Sequence, residues 1–135
     1  MKKIDEIYLP EELRYSAEHE WVRTGDEGLV QVGITDYAQD QLGDVVYVEL
    51  PAVGARIAAG AVFATVESVK SVSECYLPLA GEIVAVNDTL VDDPALINQS
   101  PYGDGWMVLL RPDEPTALTA MLSAEGYRAG LKGEA

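Results

Sequence analysis

Apolar positions along the chain come in short runs, and turn residues break them at close intervals. His19 to Thr24 reads as a strand, Thr24-Gly25-Asp26-Glu27-Gly28 as a turn, and Leu29 to Ile34 as the return strand of a hairpin. Further strand-like segments fall at Asp44 to Leu50, Arg56-Ile57, Val62 to Ser68, Val72 to Tyr76, Gly81 to Val86 and Gly105 to Leu110. Pro51, Gly54, Gly60, Pro78, Gly81, Asn87-Asp88 and Pro94 punctuate them. Strands this short predict an antiparallel barrel or sandwich, not βαβ units. Glycines 33, 43, 54 and 81 read as turn and bulge positions.

Three stretches depart from that pattern. Residues 1–14 are polar and irregular, an N-terminal extension. Thr35 to Gly43 predicts a short helix: Thr35 is the cap, Asp36 suits the positive end of the dipole, and Gly43 closes the other end. Residues 115–133 predict a C-terminal helical segment, begun by Pro115, with Ser123 capping a second helix whose Tyr127 and Leu131 face the body. A faint echo links Leu50-Pro51-Ala52-Val53-Gly54 to Leu77-Pro78-Leu79-Ala80-Gly81, as two similar halves would require.

Composition narrows the function. The chain has 135 residues, enough for one domain spanning 1–135. A formal net charge of -14 argues against nucleic acid or an anionic membrane as partner. No apolar run reaches membrane-span length, and no apolar stretch follows Lys2-Lys3 as a secretory leader needs. A bacterial cytoplasmic protein is expected, or a mitochondrial matrix protein after loss of a transit peptide. With His19 the single histidine and Cys75 the single cysteine, a His-rich metal site and an internal disulfide are both excluded.

Lysine is distributed unevenly. Between Ile4 and Leu131 the chain has one lysine, Lys70. It sits between two strand-like segments, so a reversal at Val69-Lys70-Ser71 places it at an exposed hairpin tip. Val62, Ala64 and Val66 then share the core face of the first strand, and Cys75 and Leu77 share a face of the second. Glu67 and Glu74 flank the lysine without abutting it. A Schiff-base lysine depends on burial to lower its pKa from about 10.4, and a hairpin tip supplies little. A modified side chain on a fixed platform suits the tip better.

Glu67-Ser68-Val69-Lys70-Ser71 between two strands resembles the lipoylation site of the glycine cleavage system H protein family. So do Tyr15 to Trp21 with its His19-Glu20-Trp21 triplet, Gly33 to Asp40, Leu42-Gly43-Asp44, Leu79 to Asn87, Asn98, Ser100 to Gly103, and Gly105-Trp106-Met107. The resemblance spans roughly residues 13–131.

It implies a mainly β, barrel-sandwich hybrid fold of the lipoyl/biotinyl type with short helices and a C-terminal helical appendage. It implies a carrier, not an enzyme, with lipoate joined covalently to Lys70. A glycine decarboxylase (P protein) loads an aminomethyl group on the arm. An aminomethyltransferase (T protein) passes it to tetrahydrofolate, and a dihydrolipoyl dehydrogenase (L protein) reoxidises the arm. A lipoate ligase or a lipoyl/octanoyl transferase attaches it. For a groove that shelters the loaded arm, the resemblance implies Glu20, with Glu74 a second candidate. His19 is a groove residue or a structural histidine. Glu67 helps the attaching enzyme recognise the hairpin or keeps the tip soluble. Gln41 stands where some members have histidine.

Other classes remain open at this point. A biotinyl domain flanks its lysine with methionines, whereas Val69 and Ser71 stand here. A lipoyl relay would donate the group to other complexes. A lysine-nucleophile enzyme would turn over substrate alone, and an unmodified interaction module would tolerate Lys70→Arg.

Overall fold

A computed structural model describes residues 2–133. The expected domain span of 1–135 extends to Met1, Glu134 and Ala135, which lie outside the described residues. The elements, in order, are β1 (Arg14–Tyr15), β2 (Glu20–Thr24), β3 (Val30–Ile34), α1 (Asp36–Leu42), β4 (Val45–Glu49), β5 (Arg56–Ile57), β6 (Val62–Ser68), β7 (Val72–Tyr76), β8 (Gly81–Val86), α2 (Thr89–Asp92), α3 (Leu96–Gln99), β9 (Val108–Pro112) and α4 (Ala124–Leu131). The strands form two antiparallel sheets. One has six strands in the order β1-β2-β3-β9-β8-β5, and the other has three in the order β4-β6-β7. The arrangement is a sandwich, so the expected hybrid holds in this form and not as a closed barrel.

Alternation explains the main core. Val22, Val32, Ile83, Val108 and Leu110 face inward from the larger sheet, and Val48, Val66 and Cys75 meet them from the smaller. Each such aliphatic side chain, fully buried, contributes roughly 1.5–3 kcal/mol. The one-turn helices α2 and α3, which the sequence pattern does not announce, add buried Leu90 and Ile97. The echoed pentapeptides lead into β5 and β8, and these pair antiparallel with Ile57 opposite Gly81.

Four expectations need correction. Residues 1–14 are not simply polar and irregular: Ile7, Leu9 and Leu13 are buried. They join Tyr15, Trp21, Tyr102 and Tyr127 in a second, largely aromatic core. Val62 does not share the core face, because a bulge between Val62 and Ala64 turns Phe63 inward and leaves Val62 exposed. The last strand starts at Val108, later than Gly105. A Cβ on Gly105 would come within 2.8 Å of the Leu96 carbonyl oxygen, so that glycine belongs to a tight turn against α3. Gly33 lies inside β3 and not in a turn, and a Cβ there would meet the Trp21 ring at 2.8 Å.

The helices form where capping chemistry allows. The Thr35 hydroxyl accepts a hydrogen bond from the Ala38 N–H, and Gly43 ends α1 at φ 77°. The C-terminal segment is a 3₁₀ helix over Pro115–Ala120, then α4, whose first turn is capped by Ser123. Tyr127 is buried, and Leu131 packs against the same aromatic core.

Candidate functional site

The turn joining β6 to β7 is stapled by its own serine. The Ser68 N–H donates to the Ser71 carbonyl at 2.8 Å, and the Ser68 hydroxyl oxygen accepts from the N–H groups of Lys70 and Ser71. The Val69 N–H donates to the Asp44 carbonyl at 3.1 Å, tying the turn to the corner before β4. Asn98 fixes that corner in turn, with bonds to the Val45 N–H and the Gly43 carbonyl. Lys70 therefore projects, exposed, from an anchored turn.

Its side chain runs over Gly43, where a Cβ would stand 3.4 Å from Lys70 Cε. Beyond the turn the edge of β7 and the flank of α1 enclose a groove of about 380 Å³. Ser71 to Cys75 form one wall, and Tyr37, Ala38, Gln41 and Leu42 form the other. Glu18, His19 and Glu20 close the far end. Along β7 the distance from Ser71 to Cys75 is about 13 Å at the usual rise per residue.

Glu20 is the unusual group in the groove. It is only 2% exposed. Its carboxylate accepts from the Ser16 hydroxyl at 2.6 Å and from the Tyr76 N–H at 3.2 Å. Burial nevertheless pushes its pKa up to about 7, with the Glu18 charge adding to the rise and those two hydrogen bonds opposing it. A second cavity of about 380 Å³ lies on its other side, lined by Ser16, Tyr76, Pro78 and Met121 among others.

His19 answers both sequence readings. It lines the groove, and its Nδ1 lies 2.7 Å from the Tyr127 hydroxyl, which is itself 2.8 Å from Thr35 Oγ1. Its ring also lies against Tyr37, with centroids 4.8 Å apart. Its backbone sits at φ 78°, a conformation uncommon for a non-glycine residue. Desolvation lowers its pKa and so favours the neutral imidazole, against the opposing pull of the Glu18 charge.

Glu74 is exposed on the groove wall. Glu67 is not in the groove: it lies on β6 between Tyr47 of β4 and Val72 of β7. Cys75 lines the groove as a buried thiol pushed up to about 12, first by burial and then by the Glu20 charge.

The structure thus gathers His19, Glu20 and Glu74 in one groove, sets Lys70 at its mouth, and leaves Glu67 outside. Sequence reasoning missed Ser16, Tyr37 and Tyr127 as its supports. Ser16 is four residues before Glu20, and no local pattern marks that contact. Tyr127 arrives from 92 positions beyond Thr35, and only its predicted inward orientation hinted at a role.

A groove of mixed polarity that ends on a buried carboxyl, beside an exposed lysine, can be compared with known proteins. The glycine cleavage H-protein family model matches residues 13–134. A glycine cleavage system H protein from Psychrobacter sp. (strain PRwf-1) is 54% identical over 123 residues, covering 91% of this chain and 98% of that protein. One from Edwardsiella ictaluri (strain 93-146) is also 54% identical, over 91% of this chain and 96% of that one. The crystal structure of a glycine cleavage system H protein from Mycobacterium marinum superposes with a TM-score of 0.82 at 43% identity, covering 93% of this chain and 99% of that one. On the strength of sequence and fold together, the chain belongs to the glycine cleavage H-protein family.

Proposed function

We propose that this chain is the lipoylated carrier of a glycine cleavage system, with lipoate joined to Lys70. The whole of 1–135 acts as one carrier domain, in the bacterial cytoplasm. It moves the aminomethyl group of glycine from a decarboxylase to an aminomethyltransferase, and a dihydrolipoyl dehydrogenase restores the oxidised form. A lipoate ligase or transferase makes the attachment, reading Glu67 beside the turn. The carrier itself performs no catalysis in this scheme.

One observation carries the reading: an exposed lysine, remote in sequence from every other, stands at the mouth of a groove whose far end is a buried carboxyl. The residues suit the group. Ile34, Ala38, Leu42 and Val72 offer apolar surface to a hydrocarbon chain. When bound, lipoate supplies a cyclic disulfide that can be opened to carry the one-carbon unit on sulfur.

The chain's own residues do the rest. The stapled turn holds the lysine outward while its side chain stays free to swing, which raises the effective concentration at each docked partner. Glu20, held by Ser16 and the Tyr76 N–H, keeps a lone pair on each oxygen for an incoming ammonium. An ammonium there would stabilise the carboxylate and favour its charged form. Glu74 and the neutral His19 complete the polar end. Cys75 stays protonated, so it offers no thiolate to capture a neighbouring disulfide.

Intact mass with peptide mapping, on protein from its native cells, tests the proposal. A lipoyl increment on Lys70 that disappears in Lys70→Arg supports it. Unmodified protein from lipoate-replete cells overturns it.

A further inference from the structure

Large apolar side chains crowd the surface around Lys70. Val69 is 72% exposed, Val72 62%, Val46 52% and Tyr47 48%. Strand register explains the grouping. Tyr47, Glu67 and Val72 lie side by side across the outer face of the three-stranded sheet, and Glu49, Thr65 and Glu74 form the next row. Val46 is the extra residue of a bulge between Val45 and Tyr47, which turns it outward. Val69 is in the turn itself. Together they make an apolar patch that Glu67 interrupts between Tyr47 and Val72 and that Asp44, Glu49 and Glu74 flank. An exposed apolar patch edged with charge marks an interaction surface more often than chance solvent exposure.

The patch and the groove are different surfaces. The groove opens along the edge of β7, whereas the patch lies on the outer face, with Val72 and Glu74 on the border between them.

We propose that this outer face docks the enzyme that loads the arm, which presents an apolar depression rimmed with Lys and Arg at the mouth of its active site. The proposal rests on the carrier reading and adds the surface that reading lacks. Charge favours a partner of the modified chain over the attaching enzyme. Lys70 is the only base in β4, β6, β7 and their turn. Its conversion to an amide leaves the face wholly acidic, so the modified chain suits a basic rim better than the unmodified one. The attaching enzyme instead meets the face with the Lys70 cation still present. Tyr47 supplies the kind of rigid aromatic anchor that dominates interface energetics.

The test uses the full chain, lipoylated to completion as judged by mass, with purified glycine decarboxylase. The double variant Val46→Ser/Tyr47→Ser, which spares the groove wall, is expected to raise the KM for the carrier about tenfold or more, with kcat changed less than about twofold. A second readout needs no arm. The Lys70→Gln protein, which carries a neutral amide at the tip as the modified chain does, is expected to inhibit loading competitively, and to lose that inhibition when the double change is added. Both constants should weaken with salt, and Val53→Ser with Val91→Ser, exposed elsewhere, should change neither. An unchanged KM with unchanged inhibition overturns the proposal. So does a double variant that resists lipoylation yet leaves the Lys70→Gln competition intact, since the face would then serve the attaching enzyme. Failure of the carrier reading shows separately, as a wild-type chain that never gains the lipoyl mass.

Discussion

The two ends of the groove are built on opposite principles. At the Lys70 end the charged group is exposed, and the backbone beneath it is held by hydrogen bonds within a four-residue turn. At the Glu20 end the charged group is buried and is held by segments far apart in the chain: Ser16, the edge of β7, and a Tyr127–Thr35 bridge acting through His19. The first arrangement favours reach. The second favours a fixed receptor with a tuned proton affinity. A carrier needs both, because a mobile cargo has to be released at one place and protected at another.

The sharpest way to break the comparison is Lys70→Arg. It keeps a cation at the tip but removes the amine that forms the amide. Transfer in a reconstituted glycine cleavage assay is expected to fall to nothing. Urea unfolding should change by less than about 0.5 kcal/mol, as for an exposed residue away from special contacts.

Glu20→Gln tests the other end. Glu20 has a raised pKa in the fold, about 7 against an ordinary value of 4.5, so the folded chain binds a proton that the unfolded chain has lost between those values. Its contribution to stability is full below the unfolded value and disappears as pH rises through about 7. From pH 5 to 8 that loss is on the order of 3 kcal/mol. Urea titrations should show a downward slope in the wild type that is flattened in the variant. The same change should shorten the lifetime of an aminomethyl-loaded arm, measured as release of formaldehyde and ammonia.

Gly43→Ala lies between the ends. Gly43 has φ 77° and ψ -159°, a region that side chains avoid, so the change costs roughly 1–3 kcal/mol. The added Cβ would stand 3.4 Å from Lys70 Cε, an ordinary contact distance, so lipoylation should be unchanged. Thermal unfolding measures the cost.

Tyr127→Phe should have the smallest effect. It removes the hydroxyl shared by His19 and Thr35 at a cost of about 1 kcal/mol in urea unfolding. Loss of that partner should also move the His19 titration, followed by NMR, while lipoylation stays normal.

The contrast between the ends also decides what the sequence could reveal. The tip was legible because its signals are local: alternation on both sides, a turn between, and a lysine without neighbours of its kind. β6 and β7 span the expected residues, and only the bulge at Phe63 escaped notice, since an extra residue leaves no mark in a period of two. The Glu20 end was legible only as a residue carried over from a family resemblance. Nothing near Glu20 in sequence shows that it is buried, because Tyr76 and Cys75 arrive from another sheet. The aromatic core behind it was missed for the same reason. Ile7, Leu9 and Leu13 are spaced without helix or strand period, and their burial depends on α4, more than a hundred residues later.

Tyr76 gives Glu20 a second consequence. β7 is the outer strand of its sheet, so alternate N–H groups along it point sideways with no strand to receive them. Such a strand invites another chain to extend the sheet, the usual route to aggregation. Glu20 occupies the last of these sites, at Tyr76, with a carboxylate that no incoming strand can displace without burying an unpaired charge. The residue that would hold the cargo's amine is therefore also a stopper at the end of an open ladder. A groove on a sheet edge can remain accessible to an arm and still refuse a strand.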